Sequence, residues 1–432
     1  MYLVVSPGGT LRGETTIPGD KSISHRALIL GALAQGPTII EGFLASEDCL
    51  ATLNILQLLG VNITWQNTQL IVNGQGLDAL REPLDVLDCG NSGTSMRLLA
   101  GLLSAQPFAS TLVGDQSLSK RPMARVVSPL SQMGAKIVGH VAPLIIKPCD
   151  GLQAIRYEMP VASAQVKSCL LLAGLYANGE TIITEKVASR DHTERLLRYL
   201  GADITTQKNQ IRLNPQAILN GKALSIPADI SSAAFFIAGA SATPGAHILL
   251  KGIGINPTRM GLIHILQAMG AEITLHEKRY AGFEPIADIE VKGITLQGIE
   301  VPEKWVVSAI DEFPVLFIAA AFAQGETRFS GLAELRHKET DRIAMMAAGM
   351  EKLGVTLAIL PDGIIIRGSK ITGGIVDSGG DHRIAMAFAI AALQASEPIT
   401  VQHAQHIATS FPSFCDIANL LGLSMIQEDN HE

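Results

Sequence analysis

One short pattern returns six times along this chain: a helix that ends in glycine and runs straight into a strand. It reads Leu59-Gly60-Val61-Asn62-Ile63, Met133-Gly134-Ala135-Lys136-Ile137 and Leu200-Gly201-Ala202-Asp203-Ile204 in the first half. It returns as Met269-Gly270-Ala271-Glu272-Ile273, Leu353-Gly354-Val355-Thr356-Leu357 and Leu421-Gly422-Leu423 in the second. A helix commonly closes on a left-handed residue, a conformation that glycine alone takes cheaply. The interval is roughly 65–85 residues, about the length of a βαβαββ unit on element and loop base rates.

Two further markers keep step with the first. Ala/Leu-rich helices begin at Lys21, Asn91, Ser163, Ser231, Asp311 and Asp381, with bodies such as Leu316-Phe317-Ile318-Ala319-Ala320-Ala321. They are apolar nearly all round, which predicts helices buried inside a domain. Short strands closed by Gly or Pro follow at Leu70–Gly74, Leu144–Pro148, Ile211–Pro215, Ile289–Gly293 and Ile364–Gly368. The sixth unit lacks such a strand, but Leu3-Val4-Val5-Ser6-Pro7 at the N-terminus supplies a matching one. The expected fold is therefore α/β with a six-fold internal repeat. Residues 19–226 form one three-unit domain; residues 1–18 and 227–432 form the other, completed by the N-terminal strand. The two crossings, near Pro18-Gly19 and Pro227-Ala228, are expected hinges.

Length agrees, since 432 residues exceed one ordinary core. With 47% hydrophobic and 17% charged residues, the chain reads as well buried. Its longest apolar runs, Phe313–Ala323 and Ile384–Leu393, fall short of the ~20 residues that span a membrane. The first residues have no basic leader pattern, so a cytoplasmic protein is expected. Five scattered cysteines without CxxC spacing predict reduced, mostly buried thiols. A net charge of −7 argues against general nucleic-acid binding, so any anion site must gather positive charge locally.

That charge clusters at the starts of the apolar helices. The groups are Lys21-Ser22 with Arg26; Asn91-Ser92-Gly93-Thr94 with Arg97; Ser163 with Gln165 and Lys167; Asp311-Glu312; and Asp381-His382-Arg383. Helix N-termini offer free N–H groups and partial positive charge, which attract phosphates and carboxylates. Ser22, Asn91, Ser163 and Asp381 are also good capping residues. Capping does not account for Lys21, Arg26, Arg97 and Arg383, because cations oppose the dipole there and imply anionic partners. If the units of each domain are related by pseudo-symmetry, these ends converge on one face, and two opposed faces make an anion-lined interdomain cleft. Ser119-Lys120-Arg121-Pro122-Met123 adds two cations at a Pro-marked helix start. Lys338 and Arg342 share a helical face if their segment is helical, with Glu339 and Arg342 spaced for an ion pair. Arg190-Asp191-His192 reads as a polar loop.

These segments resemble the EPSP synthase (3-phosphoshikimate 1-carboxyvinyltransferase) family over essentially the whole chain. The resemblance is carried by Pro18-Gly19-Asp20-Lys21-Ser22-Ile23-Ser24-His25-Arg26, Gly90-Asn91-Ser92-Gly93-Thr94-Ser95-Met96-Arg97, Lys338-Glu339-Thr340-Asp341-Arg342, Asp381-His382-Arg383 and Ser410-Phe411-Pro412. It implies two inside-out α/β domains of three βαβαββ units each, with the active site in the cleft between them. It implies that Lys21, Ser22, Arg26, Ser163, Ala164, Gln165, Arg190, Asp311 and Lys338 hold shikimate 3-phosphate. Phosphoenolpyruvate would be held by Lys21, Gly93, Thr94, Arg97, Arg121, Gln165, Arg342 and Arg383. Asp311, Glu339 and Lys21 would be the catalytic groups; no cofactor and no metal are implied, and a monomer acting on small molecules is expected.

The family commonly has Ser-Ser-Gln where this chain has Ser163-Ala164-Gln165, and Ser-x-x-Tyr where it has Ser189-Arg190. A lysine often precedes Thr-Phe-Pro where this chain has Ala408-Thr409-Ser410, removing one cationic contact to phosphoenolpyruvate. These variants look like the class II branch, with Arg190 pairing with the shikimate phosphate. The implied chemistry is enolpyruvyl transfer by addition then elimination. The alternative is UDP-N-acetylglucosamine enolpyruvyl transferase, disfavoured because Asp115–Lys120 lacks the reactive Cys. A non-catalytic anion-binding relative is the other alternative. A P-loop is rejected, since Asp20 stands where Walker A requires glycine before Lys21.

Overall fold

The structure is a computed structural model and describes residues 1–215 and 218–428. All six repeat glycines are left-handed, with φ of 88° at Gly60, 95° at Gly134, 109° at Gly201, 100° at Gly270, 85° at Gly354 and 105° at Gly422. The marker that organises the sequence is therefore a real backbone requirement: a Cβ at any of them would be strained.

The chain divides into two compact units. The first comprises Gly19–Ile226 with Tyr280–Glu284; the second comprises Met1–Pro18, Pro227–Arg279 and the residues from Pro285 onwards. Read from the sequence, 227–432 fall whole in one domain. Tyr280–Glu284 correct it: they are the turn joining strands Glu272–Ala281 and Glu284–Lys292, and they cluster with the first unit. The physical reason is visible in Phe283, which is buried in that unit's core beside Tyr199.

Among the described residues the strands form six small sheets, five of four strands and one of three. Five contain one parallel pair, for example Ala223–Ser225 on Gln35–Glu41 and Gly374–Asp377 on Ile399–Gln402. Antiparallel neighbours extend these pairs. In the three-stranded sheet, isolated parallel bridges (Gln297 with Gln324, Glu300 with Arg328) stand where the others have a fourth strand. The N-terminal strand Tyr2–Val5 lies between Ile399–Gln402 and Met425–Glu428, antiparallel to both, so it fills the gap in the sixth unit.

Each unit is built around three helices that expose almost nothing. In the first these are Lys21–Leu33, Gly93–Leu103 and Ala164–Gly174. In the second they are Ile230–Ala242, Phe313–Phe322 and His382–Ala391, in which every residue is buried. A helix apolar on all faces can only be stable when surrounded. The surrounding layer is the sheets, whose strands alternate buried and exposed residues, as in Leu144–Lys147. Polar residues on these helices are thus confined to their ends.

Candidate active site

In the first unit the three buried helices begin with their own caps. Asp20 accepts from the Ile23 N–H, Ser92 from Ser95 and Ser163 from Val166. Ser163 caps as its residue type suggests; Ser22 and Asn91 do not, because Asp20 and Ser92 occupy the capping positions. Asn91 instead accepts from Arg121 NH2 at 2.8 Å and donates to Asp115 at 2.7 Å.

Side chains tie the three helix starts together. Arg26 is buried and donates to Thr193 at 2.6 Å, to Ser168 at 2.7 Å and to the Ser22 carbonyl at 2.8 Å. Arg97 NH1 donates to Gln165 Oε1 at 2.6 Å, and Gln165 Nε2 to Thr94 Oγ1 at 2.9 Å. The Ser95 hydroxyl meets Thr52, which bonds His25 Nδ1 at 2.8 Å. Burial, with Lys21 and Arg26 adding to it, holds the His25 pKa well below the ordinary histidine value, so this ring is neutral beneath the cluster. Lys21, Arg26, Arg97 and Arg121 are thereby gathered where helix dipoles also favour anions. A Cβ on Gly93 would lie 2.8 Å from Arg97 NH1 and 3.3 Å from Arg121 NH1, so the absent side chain leaves room for both guanidinium groups.

Lys21 carries a partner that sequence reasoning missed. Its ammonium lies 2.8 Å from Asp48, 27 residues further along, and no local pattern signals that pair. Arg190 falls in the loop before the helix His192–Leu200, three residues from the Thr193 that receives Arg26. Lys167, which the sequence groups with Ser163 and Gln165 at a helix start, is neutralised inside the protein. It is buried between Glu185 at 2.9 Å and Glu194 at 2.7 Å. Burial disfavours its charge, but Glu194 and Glu185 outweigh burial and raise its pKa. Two carboxylates facing one ammonium leave excess negative charge, and burial raises the Glu194 pKa against the pull of Lys167.

The second unit gathers a different balance of charge. Arg342 is buried and donates to Asp381 at 2.7 Å and 3.3 Å and to Glu339 at 2.6 Å, with Asp311 3.6 Å away. Burial works against its charge, yet Asp381, Glu339 and Asp311 together push its pKa up. Glu339 and Arg342 are thus an ion pair with one partner buried, rather than a surface pair. Lys338 reaches Asp311 at 3.4 Å, and Arg383 donates to the Asp311 carbonyl at 3.2 Å. Lys338 and Arg342 do not share a helical face. Lys338 is extended after the short 3-10 turn Ala333–His337, and the helix Arg342–Lys352 starts four residues later under an Asp341 cap.

All three buried helices of this unit start at a carboxylate: Asp229, Glu312 and Asp381 hold the N-cap positions. Asp229 and Asp381 already accept from backbone N–H groups at these starts, and Lys338, Arg342 and Arg383 supply cations around Asp311. Asp311 and Glu339, both within 4 Å of one guanidinium, bring two carboxylates to one spot.

Six small sheets around buried helices, with cations and carboxylates gathered near the helix starts of each unit, define a two-unit α/β repeat protein. The family model described as EPSP synthase (3-phosphoshikimate 1-carboxyvinyltransferase) matches residues 5–417. A 3-phosphoshikimate 1-carboxyvinyltransferase of Legionella pneumophila strain Philadelphia 1 is 54% identical over 424 residues, 98% of each chain. One from Methylococcus capsulatus is 52% identical over 429 residues, again 98% of each. The solved EPSP synthase of Acinetobacter baumannii superposes with a TM-score of 0.89 at 49% identity, covering 98% of this chain and 99% of that one. This chain belongs to the EPSP synthase family.

Proposed function

We infer that this chain is a 3-phosphoshikimate 1-carboxyvinyltransferase, an enzyme of the shikimate pathway. It transfers the enolpyruvyl group of phosphoenolpyruvate to the 5-hydroxyl of shikimate 3-phosphate and releases phosphate. The observation that carries this reading is identity of 54% to a curated transferase over 98% of both chains.

The chemistry assigns work to the residues described. The 5-hydroxyl oxygen attacks C2 of phosphoenolpyruvate and loses its proton, while C3 gains one. The tetrahedral intermediate then loses a proton from C3 and breaks its C2–O bond to phosphate, restoring the vinyl group. Asp311 is the base toward the hydroxyl, and Glu339 gives and retakes the proton at C3, with Lys21 assisting. The shared Arg342 guanidinium supports this pairing, since both carboxylates lie within 4 Å of it. Each substrate bears a phosphate and a carboxylate, which planar guanidinium groups match in bidentate fashion. Shikimate 3-phosphate falls to Lys21, Ser22, Arg26, Ser163, Ala164, Gln165, Arg190, Asp311 and Lys338. Phosphoenolpyruvate falls to Lys21, Gly93, Thr94, Arg97, Arg121, Gln165, Arg342 and Arg383. Ala164, Arg190 and the Thr409-Ser410 sequence support placement in the class II branch.

The deciding assay is phosphate release from phosphoenolpyruvate with two acceptors in parallel. Release with shikimate 3-phosphate and none with UDP-N-acetylglucosamine is expected; the reverse pattern would assign the alternative acceptor.

A further inference from the structure

We propose that the buried Lys167–Glu185–Glu194 triad is a positioning device that presents Arg190 to the phosphate of shikimate 3-phosphate. The proposal rests on the reading of Arg190 as the phosphate partner and extends it to residues that touch no substrate.

The triad fixes the chain on both sides of Arg190. On one side, Ser189 is held through every polar group it has. Its N–H donates to Glu185 Oε1 at 3.2 Å and its hydroxyl donates to the same oxygen. Its carbonyl accepts from Lys167 Nζ at 3.3 Å. On the other side, Glu194 in the first turn of the helix His192–Leu200 takes the same ammonium at 2.7 Å. Between them Thr193 accepts from Arg26 Nε and bonds Ser168 at 2.7 Å. Arg190 is therefore confined to a short span whose two anchors meet at one nitrogen.

The position of that nitrogen explains why it suits this task. Lys167 lies one turn after Ser163 on the helix Ala164–Gly174, whose start carries Ala164 and Gln165. Glu185 directly follows the strand Thr181–Thr184, and its own N–H is held by the Asn209 carbonyl. One buried ammonium thus references the Arg190 loop to the helix whose start carries three of the other proposed shikimate 3-phosphate contacts, Ser163, Ala164 and Gln165. Surface packing offers no equivalent rigidity, because loops are otherwise the mobile parts of a fold. A site residue held by locked neighbours keeps its geometry without substrate having to order it.

The test is steady-state kinetics on the intact enzyme for Lys167→Met, Lys167→Arg, Arg190→Ala and the double variant Lys167→Met/Arg190→Ala. A displaced binding group is worth up to about a hundredfold, so Lys167→Met is expected to raise KM for shikimate 3-phosphate about tenfold or more. KM for phosphoenolpyruvate should stay within about twofold of wild type, since uniform damage would move both. Lys167→Arg should recover most of the loss, and the double variant should match Arg190→Ala alone because the two act through one contact. If Arg190→Ala raises that KM but Lys167→Met does not, the positioning role is wrong while the substrate reading stands. If Arg190→Ala has no effect, the substrate reading of Arg190 is what fails. Additive effects in the double variant, or equal losses for both substrates, would also overturn the proposal. Should Lys167→Met be insoluble, Glu185→Gln, which keeps the shape and removes the charge, is judged by the same readouts.

Discussion

Asp311 meets two cations, Lys338 at 3.4 Å and Arg342 at 3.6 Å, so its charge can be removed without changing its size. Asp311→Asn should lower turnover roughly 10²–10⁴-fold, the range of a positioned general base. Phosphate release at saturating substrates measures it, and near-wild-type turnover would take Asp311 out of that role. Gly93→Ala tests the first unit. Its Cβ would stand 2.8 Å from Arg97 NH1, a flexible tip that yields without unfolding the helix. The expected result is a several-fold rise in KM for phosphoenolpyruvate with little change in melting temperature; an unchanged KM would remove Arg97 and Arg121 as contacts. At this scale the sequence showed which residue types cluster at helix starts, and motif resemblance attached roles to them. It did not show that Lys21 pairs with Asp48, or that Lys167 is spent on Glu185 and Glu194. Those partners stand 18 to 27 residues away on other elements, and only chain folding brings them together.

Helices Gly93–Leu103 and Ala164–Gly174 pack closely where Gly101 faces Cys169. A Cβ on Gly101 would lie 2.1 Å from the Cys169 carbonyl oxygen, a contact with rigid backbone. Gly101→Ala should destabilise by about 1–3 kcal/mol or more through overpacking, despite alanine's better helix propensity. Urea denaturation checks it; a stabilised variant would mean the helices are further apart than described. The apolar bodies and the glycine-closed ends of these helices were legible, because both follow from local rules. The capping assignments were half right: Ser163 and Asp381 cap, whereas Asp20 and Ser92 displace Ser22 and Asn91. The error was one of register by one or two residues, which periodicity does not resolve. The supposed helical pairing of Lys338 with Arg342 failed for a related reason, since Asp341 caps a new helix between them.

At the scale of the molecule, the strand Tyr2–Val5 is the sharpest test of the repeat. Leu3 and Val5 are fully buried, each worth about 1.5–3 kcal/mol, and the strand pairs on both edges. Deleting residues 1–7 should abolish cooperative folding of the second unit, given total stabilities of about 5–15 kcal/mol. An unchanged thermal transition would show that the sixth sheet closes without it. The cysteines offer a second check. Cys49, Cys89 and Cys169 are buried, which pushes their thiols up and hides them. A thiol reagent should therefore reach at most Cys149 and Cys415 before unfolding; early labelling of the other three would contradict the packing. By itself the sequence determined the repeat, the buried helices and the clustering of cations at their starts, because turn chemistry and hydrophobic period are written in neighbouring residues. Tertiary structure alone decided which cations are neutralised inside the protein, as Lys167 is by Glu185 and Glu194. Electrostatic pairing acts through space, and the carboxylates that decide it come from distant segments.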